Sequence, residues 1–440
     1  MKRTASLLVA AAAAVVTVGF TPHSSSGTHD APSGRSAPAR SAALTTGSGH
    51  WLDTWVSMPQ LTEPGNMPPA PFTQADRVFD NATLRQTVHV AVGGKRVRLR
   101  LSNAFGGAEL PVTAVSVARP AGGKAGVGAI APGSSRRVTF GGQPGFDIPQ
   151  GAQAVSDPLD FDVAPGTNLT VTLYLAHGQA STSITSHPGS RTTSYMLAGD
   201  HLDDADLSGA TTADHWYFLS GLEVWSKPAA SATVVLGDSL SDGRGSTTNG
   251  NDRWPNLLQA RLASRSGTAD VAVVNEAAGG NRVLRDGLGP NALARLDRDV
   301  LARSGVNRLI VFEGVNDIGT AGTSPADAER ISAELIGAYQ QIITRAHAQG
   351  IRVYGATLTP FGGNGYDDPA GAHESARQKV NRWIRTAGRF DAVVDFDRAV
   401  RDPDAPGTLR AAYDTGDHLH LNPAGYQALA DAVPAALFHR

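Results

Sequence analysis

A chain of 440 residues, 41% hydrophobic and 18% charged, is long enough to bury the cores of two or more domains and lacks the composition of a disordered protein. Its formal net charge is -2 and it has no long Lys/Arg run, which argues against nucleic acid or a polybasic membrane surface as a partner. The absence of cysteine excludes disulfides, thiolate-bound zinc, a cysteine nucleophile and the thiol of a lipoprotein anchor.

Lys2 and Arg3 precede an apolar stretch from Leu7 to about Phe20, followed by the polar segment 21–26. This is the shape of a secretory signal peptide over residues 1–20, although no clear cleavage site stands out. A membrane anchor would need roughly 18 or more apolar residues, so no integral span is expected. Residues 21–49 are rich in Ser, Ala, Pro, Gly and Thr without an apolar period, the composition of a flexible linker. A secreted protein is the expectation.

Residues 50–225 read as a β-rich accessory domain. Val88, Val90 and Val92 alternate with His89 and Ala91, and Gly93-Gly94 offers a turn. Val97, Leu99 and Leu101 then alternate with Arg96, Arg98 and Arg100, so the two runs together predict a hairpin. Leu169, Val171, Leu173 and Leu175 give another period-two strand, and frequent Gly and Pro between runs suggest an antiparallel sandwich. Trp51, Trp55, Trp216, Tyr217 and Trp225 suit either a core or a sugar-stacking surface, and core is the commoner fate of such residues.

After a short connector at 226–231 the pattern changes to strands alternating with helices over 232–440. Strand candidates are Val234–Leu236, Val271–Val274, Leu309–Phe312, Val353–Leu358 and Ala392–Val394. Ile331, Leu335, Tyr339, Ile342, Ile343 and Ala346 share one face of a helix from about Pro325 to Gln349, and Asn422-Pro423 opens a final one. The alternation predicts an α/β class domain, a flavodoxin-like three-layer sandwich around a parallel sheet of about five strands.

Four segments fall where strands of this sheet should end. The first apolar run stops at Gly237-Asp238-Ser239-Leu240. The second leads into Asn275-Glu276-Ala277-Ala278-Gly279-Gly280, and the third into Gly314-Val315-Asn316-Asp317. Near the C-terminus stands Asp417-His418-Leu419-His420. Ester hydrolysis by serine needs a base, a carboxylate to orient the base, and donors facing the oxyanion. His420 can be the base of Ser239, and Asp417, three residues away, its carboxylate. The N–H groups of Ser239 and Gly280 and the Asn316 amide can be the donors.

In these four ordered blocks the region from about Ser231 to Arg440 resembles the SGNH (GDSL-type) hydrolases. The resemblance implies catalytic Ser239, Asp417 and His420, oxyanion donors Ser239, Gly280 and Asn316, an acyl-serine intermediate, and neither cofactor nor metal. The β-rich region, with Trp55-Val56-Ser57-Met58-Pro59-Gln60, looks like the leader of secreted members. Ala277 stands where the family has a glycine, and the adjacent Gly279 and Gly280 leave the donor open to a shift of one residue. His418 would have Thr415 at the carboxylate position, so His420 is preferred. Asp238 and Asp317 read as structural.

Other chemistries fit less well. Asp414, Asp417, His418 and His420 on one loop would rarely complete a metal shell. Ser241 occupies the second glycine of an α/β-hydrolase elbow, and no phosphate-binding loop is present. Arg244 and Arg282 could meet an anionic substrate or simply face solvent. The expected activity is carboxylic-ester hydrolysis of a small-molecule or polysaccharide ester, with short-chain or sugar O-acyl groups favoured. The alternatives are an acyltransferase using the same acyl-serine, a lipase or phospholipase, or a carbohydrate-binding protein with a remnant hydrolase domain.

Overall fold

The computed structural model describes residues 48–439. The expected signal segment and all but the end of the expected linker lie outside them.

Five strands form the parallel sheet: Ser231–Gly237, Val271–Asn275, Val306–Phe312, Arg352–Ala356 and Ala392–Val394. All pairings are parallel, in the spatial order second, first, third, fourth, fifth. This is the flavodoxin-like order, and it follows from the β-branched runs, which are buried as a parallel sheet requires. The first strand is flanked by crossovers running in opposite directions, so its carboxyl end is where a crevice opens.

Helices cover the sheet. The longest spans Pro325–Ala348, and all six apolar residues of its predicted stripe are buried. Ser324 and Asp327 close a capping box at its start. Asn422 caps the final helix, Pro423–Ala432, by accepting from the Gly425 N–H at 3.1 Å.

Residues 50–226 form two larger antiparallel sheets. One contains His50–Val56, Leu219–Ser226, Gly94–Ser102, Leu159–Val163 and Gln153–Val155. The other runs from Thr211–Ala213 through Ser194–Ala198, Ala82–His89, Asn168–Leu175 and Ala114–Ala118 to Arg136–Val138. The expected hairpin does not form. Ala82–His89 and Gly94–Ser102 belong to different sheets, and the chain crosses between them at Gly93-Gly94. Alternation fixes which face of a strand is buried, not which strand lies beside it. Trp55, Trp216 and Tyr217 are core residues, and Trp55 meets Trp216 edge-on at 4.8 Å.

The strand-rich and α/β parts belong to one compact unit. The Asp53 N–H donates to the Ser304 carbonyl at 3.0 Å, and the Asp53 carboxylate accepts from the Ser304 N–H at 2.7 Å. A third small sheet of Gln60–Leu61, Thr185–His187 and Trp216–Tyr217 carries His187 to the α/β part. Among the described residues no helix is long and apolar enough to cross a membrane.

Candidate active site

Ser239 is the first residue of a one-turn helix, Ser239–Asp242, directly beyond the first parallel strand. Asp238 caps this turn by accepting from the Leu240 N–H at 3.0 Å, so the strand must stop there and present the serine at the sheet edge. Burial raises the Asp238 carboxyl to about 7, with Asp317 and Asp242 nearby adding to the effect.

The Ser239 hydroxyl lies 2.9 Å from His420 Nε2, and His420 Nδ1 lies 2.6 Å from Asp417 Oδ2. The second Asp417 oxygen accepts from the N–H groups of His420 at 2.8 Å and Leu419 at 3.1 Å. Partial burial works to raise the Asp417 pKa, but these hydrogen bonds outweigh it and hold the carboxyl far below its ordinary range. For His420 the balance goes the other way. Desolvation lowers its pKa, Asp417 opposes this, and the Arg244 and Arg191 guanidinium groups lower it further. An ionised Asp417 beside a neutral imidazole with Nε2 toward the hydroxyl is the arrangement general-base catalysis needs. His418 pairs instead with Asp414, at 2.7 Å, and is half exposed.

Asn316 lies in the first turn of the helix Val315–Gly319, after the third strand. Its amide nitrogen donates to the Asn281 carbonyl at 2.8 Å, and its carbonyl accepts from the Tyr366 hydroxyl at 2.9 Å. These two bonds fix which end of the amide is the donor and leave one of its two N–H groups for a ligand. Burial raises the Tyr366 pKa, which keeps the phenol a donor.

Gly279 and Gly280 are resolved by their partners. The Gly279 N–H donates to Asp242 at 3.0 Å and is therefore spent, whereas the N–H groups of Gly280 and Ser239 have no acceptor among the described residues. Gly280 has φ +70, and a Cβ there would sit 2.6 Å from Leu288, so the turn needs glycine. Asp317 binds the N–H groups of Val283 and Leu284 at 2.9 and 3.0 Å, clamping the loop that carries Gly280.

These groups open into a cleft of about 450 Å³. The strand-rich part supplies much of its wall, through Gln60, Glu63, Asn66, Pro188, Arg191 and His215. Arg244 also lines it; Arg282 instead lines a separate cavity of about 250 Å³. Beneath the cleft, His187 Nδ1 meets the Met58 carbonyl at 3.0 Å and Nε2 meets Asp242 at 2.9 Å. The Met58 carbonyl can only accept, so Nδ1 is the donor there, and the ring ties that carbonyl to the buried Asp242 carboxylate. Arg253 reaches the same carboxylate at 3.9 Å.

Tyr366, Arg191 and the His187–Asp242 pair stand outside the sequence blocks. No motif marks them, because their roles arise from contacts across 50 or more positions.

A serine, an imidazole and a carboxylate hydrogen-bonded in series at the carboxyl edge of a parallel α/β sheet define a serine hydrolase. Residues 235–428 match the model of the GDSL-like Lipase/Acylhydrolase family. This part of the chain belongs to that family, and the protein is an ester-hydrolysing serine hydrolase. No curated protein matches the chain. Solved structures similar to it include the acetyl xylan esterase AlAXEase, at 20% identity over 46% of this chain and 96% of its own, with a TM-score of 0.34. A catalytic mutant of Axe2, an acetylxylan esterase from Geobacillus stearothermophilus, is similar at 20% identity over 46% of this chain and 93% of its own, with a TM-score of 0.35.

Proposed function

We propose that the protein is a secreted carboxylic-ester hydrolase acting on short-chain or sugar O-acyl esters through an acyl-Ser239 intermediate. The observation that carries the reading is the Ser239–His420–Asp417 series, at 2.9 and 2.6 Å, facing two unspent backbone N–H groups. His420 Nε2 takes the Ser239 proton as the oxygen attacks the ester carbonyl, and Asp417 holds the imidazolium that forms. The oxyanion receives hydrogen bonds from Ser239 N–H, Gly280 N–H and the free Asn316 N–H. His420 then protonates the departing alcohol. In the second half it takes a proton from water, which attacks the acyl-serine carbonyl, and it returns that proton to Ser239 Oγ as the bond to the acyl group breaks and the acid leaves.

The preference for small or sugar-borne acyl groups is supported by the cleft wall, where Gln60, Glu63, Asn66, Arg191 and His215 offer the hydrogen-bonding groups that a hydroxyl-rich substrate needs. Secretion is supported by Lys2-Arg3 and the apolar stretch after them. The test is hydrolysis of p-nitrophenyl esters from acetyl to palmitoyl, with Ser239→Ala as control. Serine-dependent turnover that falls with chain length is expected. A preference for palmitoyl would overturn the substrate class, and turnover surviving in Ser239→Ala would overturn the mechanism.

A further inference from the structure

The cleft holds two guanidinium groups that the catalytic scheme does not use. Arg191, from the strand-rich part, and Arg244, just after the nucleophile turn, both line it, and neither forms an ion pair within 4.0 Å among the described residues. Arg191 Nε is buried without a hydrogen-bond partner. The nearby acidic groups make their hydrogen bonds elsewhere, although the Arg191 charge acts on Asp242. Asp242 is held by His187 and Arg253, and the two oxygens of Glu63 accept from Gln60 at 2.5 Å and Asn66 at 2.9 Å.

Arg191 is also held in an unfavourable backbone conformation, with φ +49, which a non-glycine residue adopts only when its surroundings enforce it. Asn249 does the enforcing. Its N–H donates to the Arg191 carbonyl at 2.8 Å, and its side chain bonds both the N–H and the hydroxyl of Thr193 at 2.8 and 3.0 Å.

We propose that Arg191 and Arg244 form an anion subsite, so that the preferred ester carries a carboxylate or phosphate on its alcohol moiety. This rests on the serine-hydrolase reading above. The alcohol side is assigned because both arginines share the cleft with His420. Both arginines act electrostatically on His420, which hands its proton to the leaving alcohol, whereas Gly280 and Asn316 mark the oxyanion. An anion seated there would also offset the repulsion between the two cations and the imidazolium that forms in the transition state.

The test compares kcat/KM for 3-acetoxybenzoate, 3-acetoxyphenyl phosphate and the neutral 3-acetoxybenzamide, at low ionic strength. At least one anionic ester should be preferred over the neutral one by about tenfold or more, and about 0.5 M salt should compress the preference. The better anion distinguishes an acidic sugar from a phosphorylated alcohol. In the Arg191→Gln/Arg244→Gln variant the ratio of anionic to neutral kcat/KM should fall toward one. A wild-type ratio near one, or a ratio unchanged in the variant, overturns the subsite while leaving the hydrolase intact. Turnover of none of the three esters by folded protein overturns the underlying serine-hydrolase reading as well.

Discussion

Replacing Tyr366 by Phe removes one hydroxyl and no bulk. That hydroxyl donates to the Asn316 carbonyl at 2.9 Å, while the Asn316 amide keeps its bond to Asn281 at 2.8 Å. The variant therefore loses one of two restraints on an oxyanion donor, not the donor itself. Deleting such a donor costs on the order of 10²–10³-fold in kcat. Losing a single hydrogen bond of about 0.5–1.5 kcal/mol corresponds to a fall of roughly two- to tenfold. Tyr366→Phe should therefore lower kcat within that smaller range and leave KM for p-nitrophenyl acetate nearly unchanged, because the donor acts on charge that develops only in the transition state. Asn316→Ala should lose on the order of 10²–10³-fold, and the double variant no more than Asn316→Ala alone. Independent, multiplicative losses in the double variant would refute the claim that Tyr366 acts through Asn316, as would wild-type kcat in Tyr366→Phe.

Three further outcomes follow from the same geometry. His420 must be neutral to act as base and its pKa is lowered below 6.5, chiefly by desolvation, so the acid limb of kcat/KM should have its midpoint below pH 6.5; a pH–rate profile with a midpoint above that value contradicts the assignment. Asp417→Asn removes the acceptor that fixes the His420 tautomer and should cost on the order of 10⁴-fold in kcat in folded protein, as measured by active-site-titrated rates. Asp242→Ala leaves the buried Arg253 guanidinium and the His187 ring without their carboxylate and should cost about 3–5 kcal/mol of stability in urea unfolding at pH 7. The Asp242 pKa is depressed, against burial, by His187, Arg253 and Arg191, so its contribution is complete above pH 3.8 and is lost as the pH falls through the lower folded value.

What the sequence revealed and what it hid divide along contact range. The β-branched run ending at Gly237-Asp238-Ser239 marks a buried strand and its edge, because burial on both faces selects such residues locally. Asn316 likewise follows its strand within a few positions, and His420 stands just ahead of the Asn422-Pro423 helix start. The hairpin expected around Gly93-Gly94 did not form, since the pattern of two strands carries no information about a crossover between sheets. The choice between Gly279 and Gly280 needed the Asp242 carboxylate, which takes one N–H and leaves the other. Arg191 could not be assigned to the cleft at all from its neighbours in the chain, because the strand-rich part reaches the nucleophile turn only through tertiary packing.

The central claim is that Ser239 becomes acylated. Intact-protein and peptide mass spectrometry after an acid quench of the reaction with p-nitrophenyl acetate tests it directly, with a fluorophosphonate probe as a stable surrogate. The added mass should map to the peptide containing Ser239 and be absent from Ser239→Ala, which should also lack turnover. Label on another residue, or undiminished turnover in Ser239→Ala, would contradict it.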